Sequence, residues 1–208
     1  MDKNVPTLPV FAIQRHRLTV DGTGVSTLVG AYGCPLQCRY CINHHAWNPE
    51  TLSKCTPMTP EQLYDRVKID HLYFLATGGG VTFGGGESLL HADFIRQFRA
   101  VCGPEWLLTA ETSLNVSAAQ LEKALTAVND FIVDIKDLDP FVYEAYTGAS
   151  IRPVLDNLSL LAHSVSPGHI RIRVPKIPSF NTEEHINHST EQLKEMGFEN
   201  IEVFPYIT

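Results

Sequence analysis

Six short apolar or β-branched runs, each followed by a segment with helical spacing, constrain this chain more than any other feature. They occupy residues 26–31, 81–83, 106–109, 131–134, 170–174 and 201–204. Runs this short and this apolar fit parallel strands covered by helices. The segments between them carry helix starts. Thr59-Pro60-Glu61-Gln62 and Ser117-Ala118-Ala119-Gln120 are capping-box patterns, the first with proline at the opening helical position. Asp139-Pro140 opens a further helix that Gly148 can close, and Gly197 stops the one ending near Met196. Six β/α units predict an α/β fold, wound either as a barrel or as an open sheet. In both windings, ligands gather at the C-terminal ends of the strands. The unusual residues fall there: GCPLQCRYC after the first run, GGGES after the second, ETSLN after the third, and Asp134-Ile135-Lys136 at the end of the fourth.

A length of 208 residues suits one domain with a sizeable core, and the expectation is a single domain over residues 1–208. The formal net charge is −7 with Lys and Arg scattered, which argues against a nucleic-acid partner, since phosphate binding needs a concentrated basic face. No apolar run approaches bilayer length, and MDKNVPTLPV lacks the basic start and apolar stretch of a signal peptide. The expected location is the cytoplasm, with no membrane partner.

Three of the five cysteines, Cys34, Cys38 and Cys41, lie within eight residues, while Cys55 and Cys102 stand alone. An odd count clustered in this way points to a metal site rather than a disulfide framework. The spacing C-x3-C-x2-C places three thiolates on one loop. Such a set can hold three irons of a cubane cluster and leave the fourth iron open for chemistry. Tyr40, just before the last cysteine, is a candidate to shield one face of the cluster. The competing reading is structural zinc held by these cysteines with His44 or His45 as fourth ligand. Structural zinc loops more often come as two separated cysteine pairs, and no second pair exists here.

Residues 77–88, TGGGVTFGGGES, place two triple-glycine runs around a short strand. Glycines let the backbone approach a ligand closely, and Glu87 adds a carboxylate at the strand top. Neither phosphate-binding glycine frame is present.

The cysteine loop followed by GGE after the next strand resembles the radical S-adenosylmethionine (SAM) enzymes. The nearer resemblance is to the activating enzymes of glycyl radical enzymes. It extends over the Val20-Asp21-Gly22-Thr23-Gly24 segment, the cysteine loop with Asn43 after it, GGGVTFGGGES, Asp134-Ile135-Lys136 and Val203-Phe204-Pro205-Tyr206. The resemblance implies a (β/α)6 partial barrel, and a [4Fe-4S] cluster on Cys34, Cys38 and Cys41 that cleaves SAM to a 5′-deoxyadenosyl radical. It implies further that Gly85, Gly86 and Glu87 meet the methionine amino group and that Asp134, Lys136 and Arg173 bind SAM. Glu111 and Thr112 replace an Asp-Thr pair that, with Asp134, helps hold a monovalent cation beside SAM. The implied protein substrate is a glycyl radical enzyme, and the implied electron donor is a flavodoxin or ferredoxin. With no cysteine-rich insert between Cys41 and Gly84, one cluster is expected.

The chain departs from that pattern at four places. Ser26 stands for an arginine, Ile42 stands where C-H-N is common, the E-T-S-L-N stretch lacks a glycine expected near Leu114, and Ile207 replaces a histidine after Pro-Tyr. Alternative functions are modification of a small molecule or ribosomal peptide within the same superfamily, or a non-catalytic metal-binding module.

Overall fold

A computed structural model describes residues 5–18 and 20–206. Among these residues, eight strands form one sheet: β1 (Leu8–Leu18), β2 (Val25–Ala31), β3 (Thr56–Met58), β4 (Gly80–Gly85), β5 (Leu107–Thr112), β6 (Asp130–Asp134), β7 (Ile170–Lys176) and β8 (Ile201–Pro205), in the order β3-β1-β2-β4-β5-β6-β7-β8. From β2 through β4 to β8 every neighbouring pair is parallel. β1 is antiparallel to both β2 and β3. The helices are α1 (Pro49–Leu52), α2 (Pro60–Val67), α3 (His71–Thr77), α4 (Ala92–Cys102), α5 (Ala118–Leu125), α6 (Pro140–Thr147), α7 (Arg152–Ser164) and α8 (Glu183–Glu195). Among the described residues no helix is long and apolar enough to cross a membrane.

All six expected runs are strands of the parallel part. The fold is a (β/α)6 partial barrel opened by a hairpin. Long-range contacts show that the sheet curls. Arg173 on β7 reaches the Val20 carbonyl in the β1–β2 connection, and Tyr206 after β8 donates to the Tyr40 carbonyl in the loop after β2 at 2.8 Å. A flat sheet would hold these elements several strand widths apart.

Helix starts follow their local chemistry. α2 has both bonds of its capping box, Thr59 N to Gln62 Oε1 at 2.9 Å and Gln62 N to Thr59 Oγ1 at 3.3 Å. Asp139 caps α6 by accepting from Phe141 N and Val142 N, and Gly148 ends it at φ 72°. The capping box of α8, built from Thr182 and His185, escaped the sequence reading because histidine stands in place of the usual Glu or Gln.

The parallel strands alternate more than their apolar character implies. Val81 and Phe83 face outward, where Phe83 meets Phe94 and Phe98 of α4 at 6.4 and 5.5 Å between ring centres. Thr82 points the other way and donates to the Asp21 carbonyl. Side chains in register across parallel strands share a face, so Thr82 aligns with Thr109, and Asp134 with Arg173. The helices therefore cover an apolar outer face, while the concave face is polar. Gly84 belongs to that concave face: a Cβ there would stand 2.4 Å from Glu111 Oε2. The glycine leaves room for the acid on the next strand.

β1 and β3 were not foreseen. β1 carries two register irregularities, at Val10/Ala12 and Gln14/Arg17, and His16 sits at φ 58° within the second. Such bulges break the period of two that marks a strand. Beneath this bulge lies a fully buried carboxylate, Asp70. It accepts from Arg15 Nε at 2.8 Å, Thr27 Oγ1 at 3.0 Å and His16 Nε2 at 3.0 Å. Arg15 holds the Asp70 carboxyl below the usual range, opposed by desolvation and helped by Thr27. One buried acid thus ties the hairpin to the turn before α3. Asp70→Ala is expected to cost about 1–3 kcal/mol at neutral pH, since the buried Thr27 hydroxyl loses its acceptor and the partly exposed Arg15 and His16 lose theirs. The loss should shrink in acid, because a depressed folded pKa gives stability that disappears as the group protonates. Urea unfolding of the two proteins at neutral and acid pH checks both statements.

Candidate functional site

The three clustered cysteines lie on the loop that leaves β2. The loop is anchored from both sides by its backbone. Gly33 N donates to Ala46 O at 2.7 Å, while Gln37 N and Arg39 N donate to Thr147 O and Tyr146 O at the end of α6, at 2.9 and 3.1 Å. Leu36, 2 % exposed, plugs the loop into the core. Cys34, Cys38 and Cys41 are free thiols and half-buried. Cys55 and Cys102 are also free and partly exposed.

The chemistry of this donor set fits an iron-sulfur cluster. Burial pushes the Cys34 thiol up to about 12, and Glu87, Cys38 and Cys41 add to that against one backbone hydrogen bond. Burial also raises Cys38, with Lys136 pulling the other way. A set of buried thiols that repel one another's charge is stabilised by a positively charged metal core, which deprotonates them on binding. Among the described residues no three His, Cys, Asp or Glu side chains converge on one ion. His45 packs edge-on to Phe11 at 5.9 Å and His44 against His45 at 4.5 Å.

The glycine-rich end of β4 docks directly on the cysteine loop. Gly86 N donates to Ala31 O at 3.0 Å and Glu87 N to Gly33 O at 2.7 Å. A Cβ on Gly86 would lie 2.2 Å from Gly33 O, so no other residue allows this approach. The sequence had assigned these glycines to ligand contact; Gly86 is also required for the fit between two strand tops. Glu87 is 2 % exposed, and its carboxylate takes four donors. Oε1 accepts from Thr112 Oγ1 at 2.6 Å and Leu89 N at 3.1 Å, and Oε2 from Ser113 Oγ at 2.6 Å and Ser113 N at 2.8 Å. That fills the lone-pair sites of a carboxylate. In this structure the Glu87 side chain joins β4 to β5, and Ser113 is a partner that the sequence reading missed.

The remaining candidates form a charged floor. Arg173 Nη1 meets Glu111 Oε1 at 3.3 Å, and Lys136 Nζ lies 3.9 Å from Asp134 Oδ2. Burial alone would lower the Lys136 pKa, but Asp134, Cys38, Tyr206 and Cys41 hold it above the ordinary range. Asp21 joins this group, ion-paired to Arg17 and 4 % exposed. Its signal was the Val20–Gly24 motif, whose role spacing alone does not reveal. Thr112 stands apart from Glu111, with its hydroxyl committed to Glu87. Tyr40 packs into an aromatic group with Tyr146 at 6.1 Å and Phe180 at 5.7 Å. Tyr146 and Phe180 come from distant helix and loop segments, so no local pattern announced them. Ile207 lies outside the described residues.

Glu111 carries the clearest pH signature. Burial, then Asp134 and Asp21, push its carboxyl up to about 7 against the pull of Arg173. Its ordinary value is 4.5, so between 4.5 and about 7 the folded chain binds more protons than the unfolded one. Stability must then fall as pH rises through that window. Glu111→Gln is expected to flatten this fall. Melting temperatures of cluster-free protein across that range check it, and an unchanged slope counts against the assignment.

The profile of the Radical SAM superfamily matches residues 28–199. The chain is 31 % identical over 191 residues to the pyruvate formate-lyase-activating enzyme of Clostridium pasteurianum, covering 91 % of this chain and 78 % of that protein. It is 26 % identical over 258 residues to the (2S)-3-sulfopropanediol dehydratase activating enzyme of Klebsiella oxytoca, covering 95 % of this chain and 80 % of that one. Its fold is similar to that of Streptococcus suis SuiB bound to S-adenosylmethionine, with a TM-score of 0.62 at 16 % identity over 85 % of this chain and 39 % of that chain. A cysteine loop of C-x3-C-x2-C spacing at the top of the first parallel strand, docked on GGE at the top of the second, and a profile match over most of the chain, lead to one assignment: this protein belongs to the radical SAM superfamily.

Proposed function

We propose that this radical SAM enzyme acts as an activating enzyme, installing a glycyl radical on a partner protein. The observation that carries the reading is the similarity to two activating enzymes over nine-tenths or more of the chain. Their names specify different target enzymes, so the reading here is of the reaction and the kind of partner.

Cys34, Cys38 and Cys41 would hold a single [4Fe-4S] cluster within one domain. When bound, the cluster supplies the electron that breaks the S–C5′ bond of SAM, and the resulting 5′-deoxyadenosyl radical takes a hydrogen from a glycine Cα of the partner. The chain's own part is to bind and orient. Residues 85–87 would meet the methionine amino group through backbone carbonyls, the N–H groups of Gly86 and Glu87 being bonded to Ala31 O and Gly33 O. Asp134, Lys136 and Arg173 supply charge of both signs at neighbouring strand tops, which suits a zwitterionic ligand. Glu111 and Asp134 would hold a monovalent cation, without the Thr112 hydroxyl, which is given to Glu87. Burial, then Asp134 and Asp21, disfavour the Glu111 charge more than Arg173 restores it, and a cation at this place would offset that. Tyr40 and its aromatic neighbours screen one side of the loop from water. The electron would come from a flavodoxin or ferredoxin in the cytoplasm.

The test is anaerobic incubation of cluster-reconstituted protein with SAM, a reductant and a candidate glycyl radical enzyme. The expected results are roughly four irons per chain, release of 5′-deoxyadenosine, and a glycyl doublet by electron paramagnetic resonance. Cys34→Ala, Cys38→Ala and Cys41→Ala should each abolish all three. SAM cleavage with no doublet on any glycyl radical enzyme would overturn the activating role, and iron well above four would overturn the single cluster.

A further inference from the structure

We propose that Asn157, buried in α7, is a positioning residue for SAM: it holds a left-handed turn at Leu114, and that turn keeps Glu87 and the end of β4 aligned with the cysteine loop. The proposal rests on the assignment of residues 85–87 to the methionine end of SAM.

Leu114 has φ 59°, in a region that side chains other than glycine rarely adopt. It is also fully buried. A turn of this kind persists only where its surroundings over-determine it. The restraint comes from α7. Asn157 is 1 % exposed, and its Nδ2 donates to Leu114 O and to Val116 O, both at 2.9 Å. An amide has two such hydrogens, and both go to this one turn. Asparagine is a poor helix former that competes with the backbone, so its place inside α7 gains from a tertiary partner.

The inner edge of the turn leads to the site through consecutive hydrogen bonds. Leu114 N donates to Thr112 Oγ1 at 2.9 Å, and Thr112 Oγ1 donates onward to Glu87 Oε1 at 2.6 Å. Ser113, between them, gives its N–H and hydroxyl to Glu87 Oε2. Glu87 N then bonds Gly33 O, beside Cys34. Asn115 Nδ2 holds the downstream side of the turn on Tyr143 Oη and Ser150 O, so relaxation of Leu114 to negative φ would be taken up on the Ser113 side, drawing the Leu114 N–H from Thr112 and the Ser113 N–H from Glu87. A buried carboxylate deprived of donors cannot stay where it is, because an unpaired buried charge is costly. The strand end that faces SAM would shift with it, while the cysteines, anchored separately through Ala46, Tyr146 and Thr147, would keep their places.

The experiment uses full-length protein reconstituted with iron and sulfide, with SAM as the probe. Iron per chain and the paramagnetic resonance spectrum of the reduced cluster are recorded before SAM is added. The SAM dissociation constant and the spectral change at saturation are recorded after. Asn157→Ala is expected to keep the iron content and the SAM-free spectrum of the parent. Its SAM dissociation constant should rise ~10-fold or more, as happens when outer partners of a site are lost. Asn157→Ser retains one donor and should fall between the two. An unchanged dissociation constant in cluster-loaded Asn157→Ala overturns the proposal, and so does a loss of iron that parallels the loss of SAM affinity. If Asn157→Ala does not load, Asn157→Ser is judged by the same criteria. Glu87→Gln separates the two levels. If it weakens SAM while the Asn157 variants do not, only the role of Asn157 fails; if it too leaves SAM unaffected, the assignment of residues 85–87 fails.

Discussion

The site depends on the backbone contact between the cysteine loop and the end of β4. Gly86 N and Glu87 N bond the carbonyls of Ala31 and Gly33, and the missing side chain at Gly86 lets the two strand tops touch. Through this contact the cysteine loop and the strand end assigned to SAM are held against each other. Backbone hydrogen bonds suit the purpose, because they fix relative position without leaving polar atoms buried and unpaired. Glu87 extends the same surface to β5 by filling its carboxylate with donors from Thr112, Ser113 and Leu89. Three neighbouring strands are thereby locked at the end proposed to carry the chemistry of this radical SAM enzyme.

The concave face of the barrel follows from the same economy of space. Thr82, Thr109, Glu111, Asp134 and Arg173 point inward on successive strands, and Asp21 enters from the β1–β2 connection. Acids and bases collected in a partly desolvated interior shift one another's pKa, as the raised value of Glu111 shows. Lys136 lies close enough to Cys38 and Cys41 for their charges to interact. At Cys38 that cation opposes the upward push of burial. The electrostatics of the floor and of the cysteine loop are therefore one problem.

Much of this was legible in the sequence, for physical reasons that differ from element to element. The six parallel strands were visible because strands covered by helices carry continuous apolar runs. α2 and α6 were visible because their caps are local: Thr59 with Gln62, and Asp139 with its own first turn. β1 was hidden by two bulges that disturb its alternation, and β3 is only three residues long. Asp70 was hidden because its partners, Arg15 and Thr27, are 55 and 43 residues away. Asn157 escaped for the same reason.

The sequence by itself determined the donor set and its order along the chain. Three thiols at fixed short spacing, GGE one strand later and Asp134 with Lys136 two strands beyond that are covalent facts, and each follows a strand that periodicity reveals. Tertiary structure alone decided that the sheet curls, that Gly86 packs on Gly33, and that Glu87 spends its carboxylate on β5. It also decided that Leu114, though not a glycine, can take a left-handed turn. These outcomes depend on hydrogen bonds and packing between residues far apart in the chain, where close approach in space leaves no mark on local sequence.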